Sequence, residues 1–267
     1  MKYNFNVHKK IVALNVNSKN LSYGKKIIEF LNTSSPASKT ILEKDGYCVH
    51  KILNKNEFIR LKRKCLIIVN KLSNKKASRF NIYKNNCNKQ HESIVTKTVS
   101  LTENDFDINI LEQICKEISK KLKKNLTMHN KLLNRSHIQL RLNRPNSYDF
   151  NPPHKDSYFE EYKNTINVWI PIFNCNNKTS LPLIPKSHLI SENKLLVNRD
   201  NKKIKINNNF YNVPCICKID DHEMNFIRPK IGLGNCLIFS SHLIHGLAIN
   251  KSNNIRVSLE LRLSEIN

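Results

Sequence analysis

A short polar segment in the middle of the chain carries residues that can bind a metal ion. His154 and Asp156 stand two positions apart in the run NPPHKD at residues 151–156. Side chains in a β-strand repeat every two residues, so this imidazole and this carboxylate are expected to point to the same face. Both groups are ordinary ligands of a divalent transition metal. The spacing therefore predicts two adjacent ligands of one ion.

A third ligand is expected far downstream, in the run SHLIHG at residues 241–246. Two histidines and one carboxylate form the facial triad of non-haem iron(II) oxygenases, which leaves further coordination positions open. His242 and His245 are rival candidates, and in an extended strand they would face opposite sides. The glycine after His245 and the spacing from His245 to a later arginine favour His245.

That arginine is Arg256, eleven residues after His245. Alternation over residues 255–263 places it on the polar face of a predicted strand, among apolar neighbours where an unpaired charge is costly. A guanidinium group can hold a carboxylate through two hydrogen bonds. The distal carboxylate of 2-oxoglutarate suits this position, its 2-oxo acid end can chelate the metal, and dioxygen can take the remaining position.

The elements that must position these residues change in character along the chain. Helical spacing predicts helices at residues 25–31, from a capping box at residues 54–57 to residue 72, and at residues 108–126. Residues 74–92 are polar and are predicted to form a loop. Alternating or apolar runs predict strands at residues 137–143, 165–172, 236–239 and 255–263.

Short strands without intervening helices favour an antiparallel architecture. Helices followed by strands predict an α+β or mainly β fold, in which N-terminal helices pack on one sheet of a jelly roll. We expect a single domain over residues 1–267, with a mainly helical part at 1–130 and a jelly-roll core with the metal site at 131–267.

Composition limits the partners. The net charge of +24 invites a nucleic-acid interpretation. The excess is mostly lysine, spread over the chain together with abundant asparagine and isoleucine, which indicates a compositional bias and a solvated basic surface. No secretory signal or apolar run of membrane-spanning length is recognised, so a cytoplasmic location without membrane contact is expected.

The eight cysteines are scattered, and several stand in apolar runs, as reduced and buried cysteines do. Cys215 and Cys217 form a C-x-C pair whose side chains would share one face of a strand. A metal pair is one alternative for them, but no second pair at zinc-finger spacing accompanies it.

The second half resembles the phytanoyl-CoA dioxygenase-like family of 2-oxoglutarate oxygenases, which includes ectoine hydroxylases. The matching features are the H-x-D motif at 154–156, NVWIPI at 167–172, LIPKSH at 183–188, GNCLIF at 234–239, and the interval between His245 and Arg256. The run LEKDGY at 42–47 is similar to the family's first strand. The chain departs from the family pattern at Asn235, at Lys186, and after Gly246, where no serine or threonine follows.

The resemblance implies a double-stranded β-helix core (cupin-like), iron(II), 2-oxoglutarate as co-substrate and O2. It implies His154, Asp156 and His245 as catalytic metal ligands and Arg256 as the residue that binds the distal carboxylate. The run QLRLN at 139–143 is similar to a stretch of ectoine hydroxylases in which a glutamine and an asparagine lie near the co-substrate. Gln139 and Asn143 share a predicted strand face, so both are candidates there, and hydrogen bonding to neighbouring strands is the alternative.

Three further residues are candidates for the substrate pocket. Trp169 is equally well explained as a core residue, Arg141 as half of a surface salt bridge, and Tyr158 as a packed loop residue. The substrate itself is not specified by the sequence, nor is the oligomeric state.

These features together predict an Fe(II)/2-oxoglutarate-dependent dioxygenase that hydroxylates a small molecule and releases succinate and CO2. One alternative is a nucleic-acid demethylase of the same superfamily, although residues 253–258 lack the second arginine typical of alkylated-base repair enzymes. The other is a non-catalytic jelly-roll binding protein. An intact triad with an arginine argues against the latter.

Overall fold

Strands dominate the computed structural model, and helices lie beside them. The structure describes residues 1–16, 21–23, 42, 44–74, 79–80, 83, 87–198, 204–206 and 209–266. Within these residues the helices are α1 (Lys55–Ser73), α2 (Asn88–Thr98) and α3 (Ile108–Leu122). The strands of the first half are β1 (Lys2–Val7), β2 (Lys10–Asn15), β3 (Leu21–Tyr23), β4 (Tyr47–Lys51), β5 (Leu126–Thr127) and β6 (His129–Asn130). Those of the second half are β7 (Arg135–Asn143), β8 (Ile166–Phe173), β9 (Leu195–Asn198), β10 (Ile204–Ile206), β11 (Asn209–Tyr211), β12 (Cys215–Ile219), β13 (Asn225–Phe226), β14 (Asn235–Ser240) and β15 (Arg256–Glu265).

A large antiparallel sheet carries the strands that the alternating pattern predicts. Its order is β4-β14-β8-β15-β7-β6, and β5 pairs with the end of β15. β15 lies between β8 and β7, so Arg256 is paired with Asn143 and Arg262 with Asn167. Polar residues of three adjacent strands therefore come together on one face of the sheet.

A second layer faces this sheet. It is built from short strands: β3-β9-β12 at one end and β13-β1-β2 at the other. Single bridges connect His154 with His245, His245 with Leu183, and Leu183 with Ile227. The Ile216 amide donates to the Pro153 carbonyl, which links β12 to this row of bridged segments. Two of the predicted metal ligands, His154 and His245, thus lie in the middle of the second layer, and Asp156 follows directly after this row.

Two apolar clusters fill the spaces between the layers. One packs the helices against the outer face of the large sheet and includes Leu61, Ile114, Leu140 and Leu259. The other lies between the two β layers and includes Trp169, Leu183 and Ile216. The architecture is mainly β and is consistent with a cupin-like jelly roll that carries helices on one sheet.

Helix α1 begins where the sequence predicts. The Asn54 side chain accepts hydrogen bonds from the amides of Asn56 and Glu57, and the Glu57 carboxylate accepts one from the Asn54 amide. This is a complete capping box. The predicted helix at residues 25–31 lies outside the described residues.

The structure departs from the prediction in the first half of the chain. Residues 2–23 contribute three strands that were not predicted, and β4 belongs to the large sheet, so residue 130 does not separate helices from strands. The predicted loop at 74–92 is wrong at its end, because α2 begins at Asn88. Among the described residues, no helix is long and apolar enough to cross a membrane.

Candidate metal and co-substrate site

The residues predicted to bind a metal converge in the structure. One ligand atom from each of His154, Asp156 and His245 lies within 4.8 Å of the others, and all three side chains are buried. The Asp156 Oδ1 atom is 3.3 Å from His154 Nε2 and 3.7 Å from His245 Nε2. Among the described residues, this is the single group of at least three such side chains that is close enough to hold an ion.

Both imidazoles are oriented by backbone carbonyl groups. His154 Nδ1 lies 2.7 Å from the Pro152 carbonyl oxygen, and His245 Nδ1 lies 2.9 Å from that of Leu243. A carbonyl only accepts hydrogen bonds, so each Nδ1 carries a proton, and in the neutral imidazole Nε2 then has a lone pair directed at the centre of the group. This tautomer is the one that metal binding requires.

The carboxylate is oriented from the opposite side. Asp156 Oδ2 accepts hydrogen bonds from Asn167 Nδ2 at 2.9 Å and from Arg262 Nη2 and Nε at 2.8 and 3.1 Å. Oδ1 therefore remains directed toward the two imidazoles. Partners of this kind fix a ligand's direction and are as much a part of a metal site as the ligands.

The electrostatics place the ligands in the protonation states that a divalent cation needs. Burial alone would raise the pKa of Asp156, but the Arg262 guanidinium and the two imidazoles hold it well below its usual range. Burial and the neighbouring His154 lower the pKa of His245 to about 4. At neutral pH Asp156 is ionised and His245 is neutral, so a metal displaces no proton from either residue.

The backbone fixes the separation of the two histidines. The His154 amide donates to the His245 carbonyl, and the His245 amide donates to the His154 carbonyl, both at 3.0 Å. Gly246 follows with φ +136°, and a Cβ atom there would lie 2.4 Å from the Pro152 carbonyl oxygen. The glycine is therefore required by the close approach of the segment that orients His154.

The predicted carboxylate-binding residue lines the same cavity, whose volume is about 550 Å³ including its opening to solvent. Arg256 is buried and donates to Asn143 Oδ1 and, at 3.3 Å, to Ser258 Oγ. Its guanidinium carbon lies 5.7 Å from the centre of the Trp169 ring. Burial lowers the pKa of Arg256. An anion bound beside it would offset the desolvation of this charge.

Several buried polar atoms in this cavity have no partner among the described residues. They are Arg256 Nε, Trp169 Nε1 and Asn167 Oδ1. A buried donor without a partner costs roughly 1–3 kcal/mol. The unsatisfied Nε of the Arg256 guanidinium and the unsatisfied indole N–H of Trp169 suit the carboxylate of a dicarboxylic acid, while the triad suits iron(II). The residues present therefore fit both groups.

The remaining candidates divide into two groups. Arg141 and Trp169 line the cavity, and Arg141 Nε pairs with Glu260 Oε2 at 2.9 Å. Gln139 is buried opposite Glu260 and does not line the cavity. Tyr158 also lies outside the lining, where its hydroxyl donates to Glu192 at 3.0 Å.

The alternative candidates for metal binding, His242 and the Cys215–Cys217 pair, lie outside the metal group. His242 is buried and its Nε2 lies 3.1 Å from the Lys163 carbonyl oxygen, away from the metal group. The Cys215 and Cys217 sulfur atoms lie 3.9 Å apart and are both buried. They belong to no group of three or more potential ligands among the described residues.

Some important residues were not predicted. Arg262 lies on the polar face of the predicted strand at residues 255–263, but no role was predicted for it, and it binds Asp156. Because Arg262 stands slightly further along the same strand, the absence of a second arginine at residues 253–258 is a weak argument against an alkylated-base repair enzyme. Lys155, between the two ligands, is buried and pairs with Glu192 at 2.5 Å. The sequence gives no signal for this pair.

One departure from the family pattern has a backbone consequence. Lys186 stands where the family often has glycine, and its φ is +63°. This left-handed conformation is the one that glycine adopts without strain. The backbone shape is thus kept with a less favourable residue.

Comparisons with known proteins agree with this description. The sequence pattern of the phytanoyl-CoA dioxygenase (PhyH) family matches residues 42–258. No curated protein matches at a significant level. Solved structures with a similar fold include AviO1 from Streptomyces viridochromogenes Tue57, at 12% identity and a TM-score of 0.50, covering 84% of this chain and 91% of that one.

Two other solved structures share the fold. EvdMO1 is 12% identical with a TM-score of 0.51, and the match covers 85% of this chain but only 49% of EvdMO1. The non-haem monooxygenase ThoJ, in its apo form, is 12% identical with a TM-score of 0.50 and covers 84% and 75% of the two chains. Because the family pattern spans most of the sequence, the chain belongs to the phytanoyl-CoA dioxygenase family and is a 2-oxoglutarate-dependent oxygenase that uses iron.

Proposed function

We propose that this chain hydroxylates a small organic molecule and releases succinate and CO2 from 2-oxoglutarate, on a double-stranded β-helix core. The observation that carries the proposal is the cavity itself. The cavity brings together three side chains able to bind a metal, His154, Asp156 and His245, and a buried guanidinium, Arg256, whose Nε and whose neighbouring Trp169 indole N–H have no partner among the described residues.

The residues have separate tasks in this proposal. His154, Asp156 and His245 would hold iron(II), and Arg256 with Trp169 would hold the distal carboxylate of 2-oxoglutarate. When bound, iron(II) and 2-oxoglutarate would supply the electrons that activate dioxygen for attack on a C–H bond of the substrate. Asn167 and Arg262 keep Asp156 aligned, and the surrounding apolar side chains exclude water. Because a carboxylate stands at position 156, where related halogenases have a small residue, hydroxylation is favoured over halogenation.

The direct test is an anaerobic titration of the protein with iron(II) and 2-oxoglutarate. Chelation is expected to give a weak visible metal-to-ligand charge-transfer band that saturates at one co-substrate per chain. The His154→Ala/His245→Ala double variant should give no band, and Lys116→Ala on the surface of α3 should give the wild-type band. A protein that remains folded and gives no band would rule the proposal out. Succinate release over a panel of metabolites then identifies the substrate.

A nucleic-acid demethylase is the second candidate, favoured by the net charge of +24. The test is a mobility-shift titration against salt, since phosphate contacts make affinity fall steeply with ionic strength. A demethylase should bind a methylated oligonucleotide and demethylate it. Succinate release that is stimulated by small metabolites and not by oligonucleotides assigns the chain to the first candidate.

A further inference from the structure

A second cavity lies at the tip of the β1–β2 hairpin, and we call it the basic cavity. Its volume is about 570 Å³, including its opening to solvent. Four segments meet there: the hairpin, the loop after β8, the segment after β13 and the loop before β15. They contribute the positively charged side chains of Lys10, Lys178, Arg228 and Lys251.

The charge of the basic cavity is not compensated within the described part of the chain. No carboxylate lines the cavity. None of its four positively charged side chains belongs to an ion pair among the described residues. Like charges that share a cavity repel one another, and the repulsion is relieved when an anion binds.

Backbone carbonyl groups hold the Arg228 side chain in one orientation in the cavity. Its guanidinium donates to the Ser180 carbonyl and, at 3.2 Å, to the Ile249 carbonyl. Carbonyl groups orient the guanidinium without neutralising it. Burial and the nearby Arg256 lower the pKa of Arg228 to about 9, which reflects a cation that lacks a counter-charge.

The rest of the cavity is apolar. Val7, Val12 and Ile249 line it next to the charged groups. A ligand that fits both parts has an anionic group and an attached organic portion. Because several cations share one cavity, a dianion neutralises more charge than a carboxylate, and its additional oxygen atoms can accept more hydrogen bonds.

We infer that the basic cavity binds a phosphate group carried by a small organic molecule. The site is distinct from the metal cavity, since the metal cavity contains none of the four basic residues. The two cavities are nevertheless neighbours. Arg228 is held by the carbonyls of Ser180 and Ile249, which adjoin Leu181 and Ala248 in the lining of the metal cavity.

The test uses the full chain without added metal or 2-oxoglutarate, so its result does not depend on the proposed oxygenase activity. Inorganic phosphate, phenyl phosphate and acetate are titrated calorimetrically. We expect one phosphate per chain, affinity for phosphate at least about tenfold above that for acetate, and still tighter binding of phenyl phosphate through the apolar wall. Equal affinities for phosphate and acetate, or binding that does not saturate, would overturn the inference.

A matched pair of variants separates this cavity from the general positive charge of the protein. Lys178→Glu/Lys251→Glu changes two residues of the cavity, and Lys116→Glu/Lys120→Glu makes the same change in charge on exposed residues of α3. Phosphate affinity should fall at least about tenfold in the first variant and change less than about twofold in the second. Equal losses would assign the binding to the overall charge.

Arg228→Gln gives an independent result. It should abolish phosphate binding while circular dichroism shows a folded protein. If this variant does not fold, Arg228→Lys replaces it and is expected to weaken phosphate binding because the planar fork is lost. Wild-type affinity in a folded Arg228 variant contradicts the assignment.

Discussion

The unsatisfied donors of Arg256 and Trp169 mark the part of the metal cavity where single side chains should affect co-substrate affinity most. In the proposed function, replacing Arg256 with Gln removes the charged donor to the distal carboxylate of 2-oxoglutarate, a contact of roughly 1.5–3 kcal/mol. We expect the Kd for 2-oxoglutarate to rise about 10–100-fold. Titration of the visible band measures it. Arg256→Lys should be intermediate, and an unchanged Kd in both variants would contradict the assignment.

Trp169 offers a sharper test of one hydrogen bond. Trp169→Phe removes the indole N–H, whose partner is absent among the described residues, and keeps an aromatic ring in place. Loss of one hydrogen bond of about 1 kcal/mol should weaken 2-oxoglutarate binding by about threefold to tenfold. Iron affinity should not change. If iron and co-substrate affinity fall together, Trp169 acts through packing alone.

At this scale the sequence predicted the three side chains that converge, His154, Asp156 and His245, but not the residues that hold them in place. Local spacing suffices for His154 and Asp156, which are two residues apart. Arg262 lies on the predicted polar face, but its partner Asp156 is 106 positions away in the sequence. His91 stands among polar residues, which indicates a solvated side chain. It is instead buried between the Tyr83 hydroxyl, 2.8 Å from Nδ1, and the Asp149 carboxylate, 3.3 Å from Nε2.

At the scale of the elements, the contact between the segment of Gly246 and the segment of Pro152 keeps the metal ligands in place. Gly246→Ala would put a Cβ 2.4 Å from the Pro152 carbonyl oxygen, which orients His154. We expect a folded protein whose iron affinity falls at least about tenfold, as measured by competition with a chelator. Gly232→Ala is the matched control, because its Cβ would approach nothing more closely than 3.5 Å. Equal iron affinity in the two variants would contradict this account.

The elements predicted correctly are those with long, clean patterns. Helices α1 and α3 and strands β7, β8, β14 and β15 all have such patterns. The β1–β2 hairpin also alternates, with Phe5, Val7, Val12 and Leu14 buried. It escaped prediction because its turn contains His8 and Lys9, at φ +50° and +65°, where glycine or asparagine usually marks such a turn.

At the scale of the whole molecule, buried neutral histidines make stability depend on pH. Burial lowers the pKa of His91 to about 4. Between pH about 6.5, the pKa of the unfolded residue, and pH about 4, its pKa in the folded protein, the unfolded chain binds a proton that the folded chain does not bind. The free energy of unfolding therefore falls as pH falls. This residue should contribute a loss of up to about 3 kcal/mol over that interval.

The His91→Gln variant removes this contribution. Its free energy of unfolding, measured by urea denaturation in the metal-free protein, should fall less than that of the wild type between about pH 7 and pH 4.5. His129→Gln, at an exposed position, should follow the wild type. Parallel curves for His91→Gln and the wild type would contradict the prediction. His242, with a pKa also lowered by burial to about 4, contributes to the slope that remains.

The mainly β architecture followed from the alternating patterns of the second half, although strands also precede the described helices. The second layer did not, because it consists of short strands and single bridges such as those of His154, His245 and Leu183. A single bridge has no periodicity that a sequence can display. What holds this layer is pairing between distant segments, which only the assembled chain shows.

The reciprocal amide bonds between His154 and His245 have a consequence for how the protein loads its metal. Peptide groups join these two candidate ligands from distant parts of the chain directly, so their separation does not depend on the side chains alone. Metal binding should therefore cost little conformational entropy, because most of the conformational entropy of these two segments is lost when the chain folds. Removal of the ion by a chelator should leave amide hydrogen exchange at these two residues nearly as slow as before.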